Sequence, residues 1–539
     1  MNLIENRWLP VVRADGSRER ICPAELTSRM EDNPVVALDL PRPDFHGAAI
    51  QWLIGLLQSV LPPEDEEAWR AWLDTPPTPE RLATLLAPVA DCFSLDGEGP
   101  RFMQDFDQNM AQVPVHIGAL LIDAPGEQTV KDGKDLFQKR GSVNGLCPSC
   151  SGLALFTLQT NAPSGGAGHR TSLRGGGPLS TLVMPDPRSS PSLWGLLWWN
   201  VLDRDAFMGR WGHQPDEMKR AFCWLSPTRT SEQEQKITPE DAHPAMVYWA
   251  MPRRIRLEWA GRLPGICDLC GQKTERLTTR YYTRPYGMNA TDWEHPLTPH
   301  YQDSKQGWLP VHPQPGGIGY RHWLGWVVAK ENTRVARVVQ AARQRNRRLR
   351  MPLLVWAFGY DMDNMKARCW YEARMPLITL EEPGRTLLAG LAEHLVGGAT
   401  LVKGGLSGAL RNAWFETRPG QKIKGDYSSS IAQSFWEGTE ADFYRLLWRF
   451  ADLCQGSDLD KLAGEKAAIQ QEWHGRLCQV ALHLFDQWAT RGALEFENPG
   501  RIARAYHLLR KQLYGAPLRK SLGLPVDEDL ISKQKGKKK

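Results

Sequence analysis

At 539 residues the chain exceeds what one ordinary core of roughly 100–200 residues supports, so two or three domains are expected. Hydrophobic residues at 42% and charged residues at 24% exclude a disordered chain and fit a globular one. A net charge of +5, from 66 Lys+Arg against 61 Asp+Glu, is too weak to announce a nucleic-acid partner by itself.

The chain opens Met1-Asn2-Leu3-Ile4-Glu5-Asn6-Arg7, which lacks the charged-then-apolar pattern of an export signal. The most apolar window, 193–202, falls short of the ~20 residues that a spanning helix needs. A cytoplasmic setting is therefore expected, and the ten cysteines read as ligands or core thiols rather than disulfides. Residues 52–61 predict a helix. The stretch 123–146 is long, polar and glycine-bearing, the composition of a functional loop. Two glycine loops follow, Ala162-Pro163-Ser164-Gly165-Gly166-Ala167-Gly168 and Arg174-Gly175-Gly176-Gly177-Pro178, flanking His169-Arg170. Such glycines either make plain turns or let the backbone approach a phosphate or groove closely, and no GxxxxGK[ST] nucleotide loop is present.

Residues 180–184 and 353–357 predict strands by their β-branched and aromatic content. Between them, 333–347 predicts a helix within an arginine-rich stretch: seven arginines and no acid over 334–350. That run is read as a solvated face unless it adjoins a second basic surface. Residues 359–368 predict a hairpin with strands at 352–358 and from Ala367 through Tyr371 and a polar tip over 361–366. Near Glu381-Glu382-Pro383-Gly384 the pattern turns helical. Leu387, Leu391 and Leu395; Phe443, Leu446, Leu447 and Phe450; Leu477, Ala481, Leu484 and Trp488; and Ile502, Ala505, Leu509 and Leu513 mark four apolar stripes, enough for a four-helix bundle. The expected division is 1–382, a large mixed α/β domain, and 383–539, the bundle with a basic, disordered tail of five lysines over 533–539. The fold class is α+β.

Two CxxC pairs carry the clearest chemistry: Cys147-Pro148-Ser149-Cys150 and Cys267-Asp268-Leu269-Cys270, followed by Gly271. The 116 residues between them rule out a compact ribbon, yet two knuckles can meet around one Zn²⁺. Four protein thiolates leave no open position, so such an ion is structural. The alternative is thiol–disulfide exchange at the first pair. The other six cysteines, Cys22, Cys92, Cys223, Cys369, Cys454 and Cys478, are expected to be buried thiols. A second chemistry to weigh is a metal-dependent nuclease on Asp361, Asp363 and Glu372, although the sequence runs Glu372-Ala373-Arg374 where Glu-x-Lys is wanted. A third is a zinc-stapled scaffold without a DNA role.

Several motifs coincide in order: Asn2-Leu3 with Trp8-Leu9-Pro10-Val11, Ser172-Leu173-Arg174-Gly175-Gly176-Gly177-Pro178, the CxxC pairs, Trp293-Glu294-His295-Pro296, and Phe358-Gly359-Tyr360-Asp361. In these the chain resembles, over nearly its whole length, the CasA family, the large subunit of the type I-E CRISPR Cascade surveillance complex. The resemblance implies a non-catalytic subunit beside the 5′ handle of the guide RNA, among the backbone and small subunits. Such a subunit reads the PAM of double-stranded DNA from the minor-groove side, helps open the duplex into an R-loop and recruits the helicase–nuclease. Carried over by motif, Ser164, Gly165, Gly166 and Ala167 lie against the PAM. Arg284 stands where the family has a lysine finger. Asp363, Asn364, Met365 and Lys366 stand at the strand-separating wedge, without the family's Gln. Phe137, Gln138, Lys139 and Arg140 fall in the loop implied to meet the RNA handle.

Overall fold

A computed structural model of the chain describes all residues except 108–112, 134, 136–139, 167, 190, 209–217, 260, 330, 364–365, 417–428, 456–458, 491–497 and 527–539. The lysine tail expected over 533–539 lies outside the described residues. The chain divides into two compact units. One comprises Met1–Pro313, Asn332–Arg345 and Met351–Arg374; the other comprises Gln314–Glu331, Asn346–Arg350 and Met375–Lys539. The helical unit thus gathers Gln314–Glu331, Asn346–Arg350 and residues 375–382, three stretches that a single cut at 382/383 leaves with the α/β part.

The first unit begins with an antiparallel sheet of β1 (Leu9–Arg13), β2 (Arg18–Ile21) and β3 (Val35–Leu38), in the order β2-β1-β3. Alternate residues of β1 are buried, the period-2 pattern of a half-covered strand. The opening residues serve this packing. Asn2 Nδ2 donates to the Ala90 carbonyl at 2.7 Å, the Trp8 indole N–H donates to the Leu3 carbonyl at 2.7 Å, and the Trp8 ring meets Trp52 edge-on at 5.4 Å.

Trp52 belongs to α1 (Pro43–Val60), which starts with Pro43 in the first turn, where its missing N–H costs nothing. This helix is buried on nearly every face and forms the centre of the unit. Around it Trp52, Phe93, Phe102, Trp224 and Trp249 pack mostly edge to face, as ring quadrupoles favour.

Next come α2 (Pro148–Asn161), β4 (Ser180–Pro185), β5 (Arg254–Leu257), β6 (Arg280–Arg284), α3 (Arg337–Leu349), β7 (Leu353–Asp363) and β8 (Lys366–Pro376). β4 pairs antiparallel with β7 from Leu353↔Pro185 to Phe358↔Ser180, and every residue of β4 is buried. β5 pairs antiparallel with β6, with Arg254 opposite Arg284.

Three expectations change in detail. The hairpin strands run longer than the sequence suggested, leaving only 364–365 between them. The arginine helix starts at Arg337, because Thr333 and Arg334 pair as strand residues with Tyr301 and His300. Its arginines are also partly structural. Buried Arg345 donates to Asp203 at 2.7 Å and stacks over Trp69 at 4.0 Å, and Arg334 stacks over Trp308 at 3.8 Å. The stretch 123–146 contains a short helix, Glu127–Lys131.

In the second unit the four apolar stripes fall on α4 (Gly384–Trp414), α5 (Ser429–Gln455), α6 (Leu459–Ala489) and α7 (Pro499–Leu513). α4 packs on the other three, and α6 also packs on α5 and α7. Tyr320, from the upstream segment Gln314–Glu331, completes the core. Its ring stacks on Phe443 at 4.4 Å and its hydroxyl meets Thr439 Oγ1 at 2.9 Å. No helix among the described residues is long and apolar enough to cross a membrane.

Candidate metal centre and nucleic-acid interface

Cys147 caps α2: its Sγ accepts from the Cys150 amide at 3.5 Å, with Pro148 at the first helical position. Cys267 and Cys270 sit on a tight knuckle between the short strands Gly265–Ile266 and Lys273–Thr274. There the Cys267 amide donates to the Gln272 carbonyl and the Gly271 amide to the Cys267 carbonyl, both at 2.9 Å. Gly271 adopts φ +70°, which a side chain would resist.

Side-chain and backbone bonds bring these distant segments together. Asp268 Oδ2 accepts from the amides of Asn144 at 2.6 Å and Gly145 at 2.8 Å, and Leu146 and Thr278 exchange both backbone bonds. As a result the four sulfurs lie within 4.8 Å of one another, Cys147 and Cys270 at 3.7 Å. A tetrahedron with Zn–S arms of ~2.3 Å has edges of about 3.8 Å, so the donor set fits such an ion.

Hydrogen bonds from Cys147 and then Cys150 hold Cys267 toward the thiolate and draw Cys270 down to about 6, while bonding to Cys147 and Cys267 pushes the Cys150 thiol up. Four thiols this close cannot all ionise without a cation to offset their charge, and all four can once one is present. The first pair does open a helix, as an exchange motif would. The second pair lying against it is what an exchange site does not need and a four-thiolate site does.

Of the remaining cysteines, Cys92 and Cys478 are buried, Cys22, Cys223 and Cys454 are half-buried, and Cys369 is exposed. The expectation of six buried thiols thus holds at Cys92 and Cys478, holds only in part at Cys22, Cys223 and Cys454, and fails at Cys369, whose side chain β8 turns to solvent.

The glycine loops do more than turn. Ser164, Gly165 and Gly166 are exposed, and the Gly165 amide donates to the His169 carbonyl at 3.3 Å. A Cβ on Gly165 would meet Arg253 Nη1 at 2.5 Å, one on Gly168 would meet Pro285 Cβ at 2.6 Å, and one on Gly176 would meet Pro163 Cα at 2.9 Å. One on Gly177 would meet Met362 Cγ at 2.7 Å.

The first loop therefore lies on Pro285-Tyr286, immediately after Arg284. The second lies on the first and on β7 at Tyr360 and Met362, near the hairpin turn. Arg284 pairs with Asp107 at 2.7 Å. At the hairpin end Asp363 and Lys366 are exposed, whereas Asn364 and Met365 lie outside the described residues, as do Ala167, Phe137, Gln138 and Lys139. Arg140 is exposed and pairs with Asp135 at 2.5 Å.

Sequence reasoning missed Tyr286. It is exposed and holds φ +63°, a strained value for a residue with a side chain. Its amide donates to the Gly168 carbonyl at 2.6 Å, and its carbonyl accepts from Ser231. No pattern in the sequence announces such a conformation at a tyrosine.

Two of the three carboxylates weighed as a nuclease centre, Asp361 and Asp363, are engaged otherwise. Buried Asp361 accepts from Arg368 at 2.7 Å, and Asp363 lies 3.5 Å from the same guanidinium. Among the described residues the four cysteines are the one group of three or more metal-type ligands within reach of a common ion.

The chain thus joins an α+β unit carrying a four-cysteine cluster to a C-terminal helical bundle. The chain belongs to the CRISPR-associated protein Cse1 family, whose model matches residues 2–484. It is similar to Cse1 from Thermobifida fusca, at 18% identity and a TM-score of 0.69 over 97% of this chain and 98% of that one. It is similar to CasA from Thermus thermophilus, at 15% identity and a TM-score of 0.66 over 95% and 99%. A chain of a CRISPR RNA-guided surveillance complex matches at 13% identity and a TM-score of 0.63 over 96% and 99%. Family membership makes the chain a non-catalytic large subunit of a CRISPR surveillance complex.

Proposed function

We propose that the chain reads the PAM of double-stranded DNA from the minor-groove side within a type I-E Cascade complex in the cytoplasm. The supporting observation is the contiguity of the first glycine loop, the end of β6 at Arg284 with Tyr286 just beyond it, the second glycine loop and the turn end of the hairpin. Minor-groove readout is degenerate, so it suits close backbone approach, a cation and a wedge rather than a recognition helix. Ser164, Gly165, Gly166 and Ala167 supply the approach. Arg284, held by Asp107 until DNA arrives, supplies charge. The tip formed by Asp363, Asn364, Met365 and Lys366 separates the strands and starts the R-loop. Guide pairing then supplies the rest of the specificity.

In this reading Phe137, Gln138, Lys139 and Arg140 meet the 5′ handle of the guide RNA, and the assembled complex recruits the helicase–nuclease. Cys147, Cys150, Cys267 and Cys270 hold a structural Zn²⁺, which supplies a cross-link and no reaction chemistry. The test is binding of the assembled complex, with and without this chain, to matched targets carrying randomised flanking bases. Flank preference that appears only with the chain supports the reading; binding indifferent to its presence overturns it.

A further inference from the structure

Beneath the Ser172-to-Pro178 motif lies a cavity of about 20 Å³, larger than the roughly 10–15 Å³ one water requires. Gln51, Gln159, Thr160, Ser172, Arg174, Tyr248 and His295 supply its polar wall. Arg174 is 4% exposed, and no carboxylate bonds to it among the described residues. It donates to Ser180 Oγ at 2.9 Å, Thr298 Oγ1 at 3.1 Å and Gln51 Oε1 at 2.6 Å, using three of the five donors of a guanidinium on neutral oxygens. Burying a cation without a counter-charge costs several kcal/mol, which is why such groups are nearly always paired.

The rest of the wall is donor-rich. Tyr248 is 6% exposed, and its buried hydroxyl has no hydrogen-bond partner. His295 is 4% exposed and stands edge-on to the Tyr248 ring at 5.1 Å. Its Nδ1 accepts from the Leu297 amide at 3.1 Å, so its proton is assigned to Nε2. The side-chain oxygens of Gln51, Gln159 and Ser172 already hold bonds within the protein. Positive charge and unspent donors thus face a space just over one water in size.

We propose that this cavity binds a monatomic anion of chloride size, taken up by Arg174, Tyr248 Oη and His295 Nε2. Burial, which holds His295 neutral and lowers the Arg174 guanidinium to about 9, reflects the same lack of negative charge. The Arg174 carbonyl accepts from His312 Nε2 at 3.0 Å, and Gly175 sits against that imidazole. An anion here braces the post on which the second glycine loop stands. This does not depend on what the loops read.

The test uses the full chain at constant ionic strength, exchanging sodium isethionate for sodium chloride or bromide, with Tyr248→Phe alongside. Mass action predicts that Tm rises by about 2 °C at tenfold excess over the dissociation constant in the wild type, with the rise lost in Tyr248→Phe. Crystals grown in bromide are expected to give an anomalous peak beside Arg174. Equal halide responses in the two proteins, together with no anomalous peak, would mean that the cavity holds only water and overturn the proposal.

Discussion

Gly168→Ala is the sharpest probe of the proposed reading surface. Gly168 holds φ +76°, and a Cβ there would stand 2.6 Å from Pro285 Cβ and 3.0 Å from the Tyr286 amide nitrogen. The left-handed conformation costs an alanine about 1–2 kcal/mol. Relieving the clash separates the loop from Tyr286 and breaks the 2.6 Å bond between the Tyr286 amide and the Gly168 carbonyl, a further loss of about 1 kcal/mol. If the docked loop is the form that meets DNA, the sum of roughly 2–3 kcal/mol lowers affinity for the correctly flanked target roughly 30- to 150-fold. Gly166→Ala is the matched control. Its φ of +83° carries the same strain, but nothing lies within 4 Å of its Cβ, so the expected loss is about 5- to 30-fold. The assay is equilibrium binding by the assembled complex at fixed salt, on correct and scrambled flanks, with near-UV circular dichroism to confirm the fold. A Gly168→Ala complex that binds and discriminates as the wild type does, or a Gly166→Ala complex that loses more, would refute the claim that loop docking sets the readout.

Metal analysis of purified protein is expected to give one zinc per chain, and Cys267→Ser or strong chelation should lower Tm and expose residues 144–146 to hydrogen exchange; an unchanged exchange pattern would contradict the clamp. Asp268→Ala removes the acceptor of two amides and should cost about 1–3 kcal/mol by urea unfolding even with metal present. Arg284→Gln should weaken binding to all targets and lower the salt slope by about 1, an unchanged slope meaning that Arg284 meets no phosphate. Arg368→Met removes a half-exposed partner from the buried Asp361 carboxylate and should destabilise by about 1–3 kcal/mol, and neither it nor the wild type should cut DNA with Mg²⁺ or Mn²⁺.

What the sequence disclosed follows the range of the forces involved. The four bundle helices were legible because their stripes are local, and Leu391, Leu395, Phe443, Leu446, Leu447, Leu477, Ala481 and Leu509 are indeed buried. β4 and the start of β7 were legible as short apolar runs. The bundle's need for Tyr320 was not, since nothing local distinguishes a tyrosine that fills a distant helix seam from any other. The cysteine spacing disclosed the donors but not the Asp268 clamp that joins them, because a carboxylate between two cysteines looks like an ordinary turn residue. The glycine loops stood balanced between turn and close approach, and only the third dimension shows Pro163, Pro285 and Met362 standing where side chains would be. In sequence Asp361 and Asp363 read as an acidic pair, whereas in the folded chain Arg368 lies against both.

The clamp at Asp268 also has a history in time. Residues 151–266, with both glycine loops, lie between two anchor points that meet only when Leu146 finds Thr278. Closing a flexible circuit of 116 residues costs about 4 kcal/mol of chain entropy before any contact across it repays the loss. Local helices can form while the chain is still emerging from the ribosome, but this circuit cannot shut until Thr278 has left the exit tunnel. The face proposed to meet DNA, which also takes in the hairpin strands Leu353–Asp363 and Lys366–Pro376, can therefore be completed only after synthesis has passed Thr278.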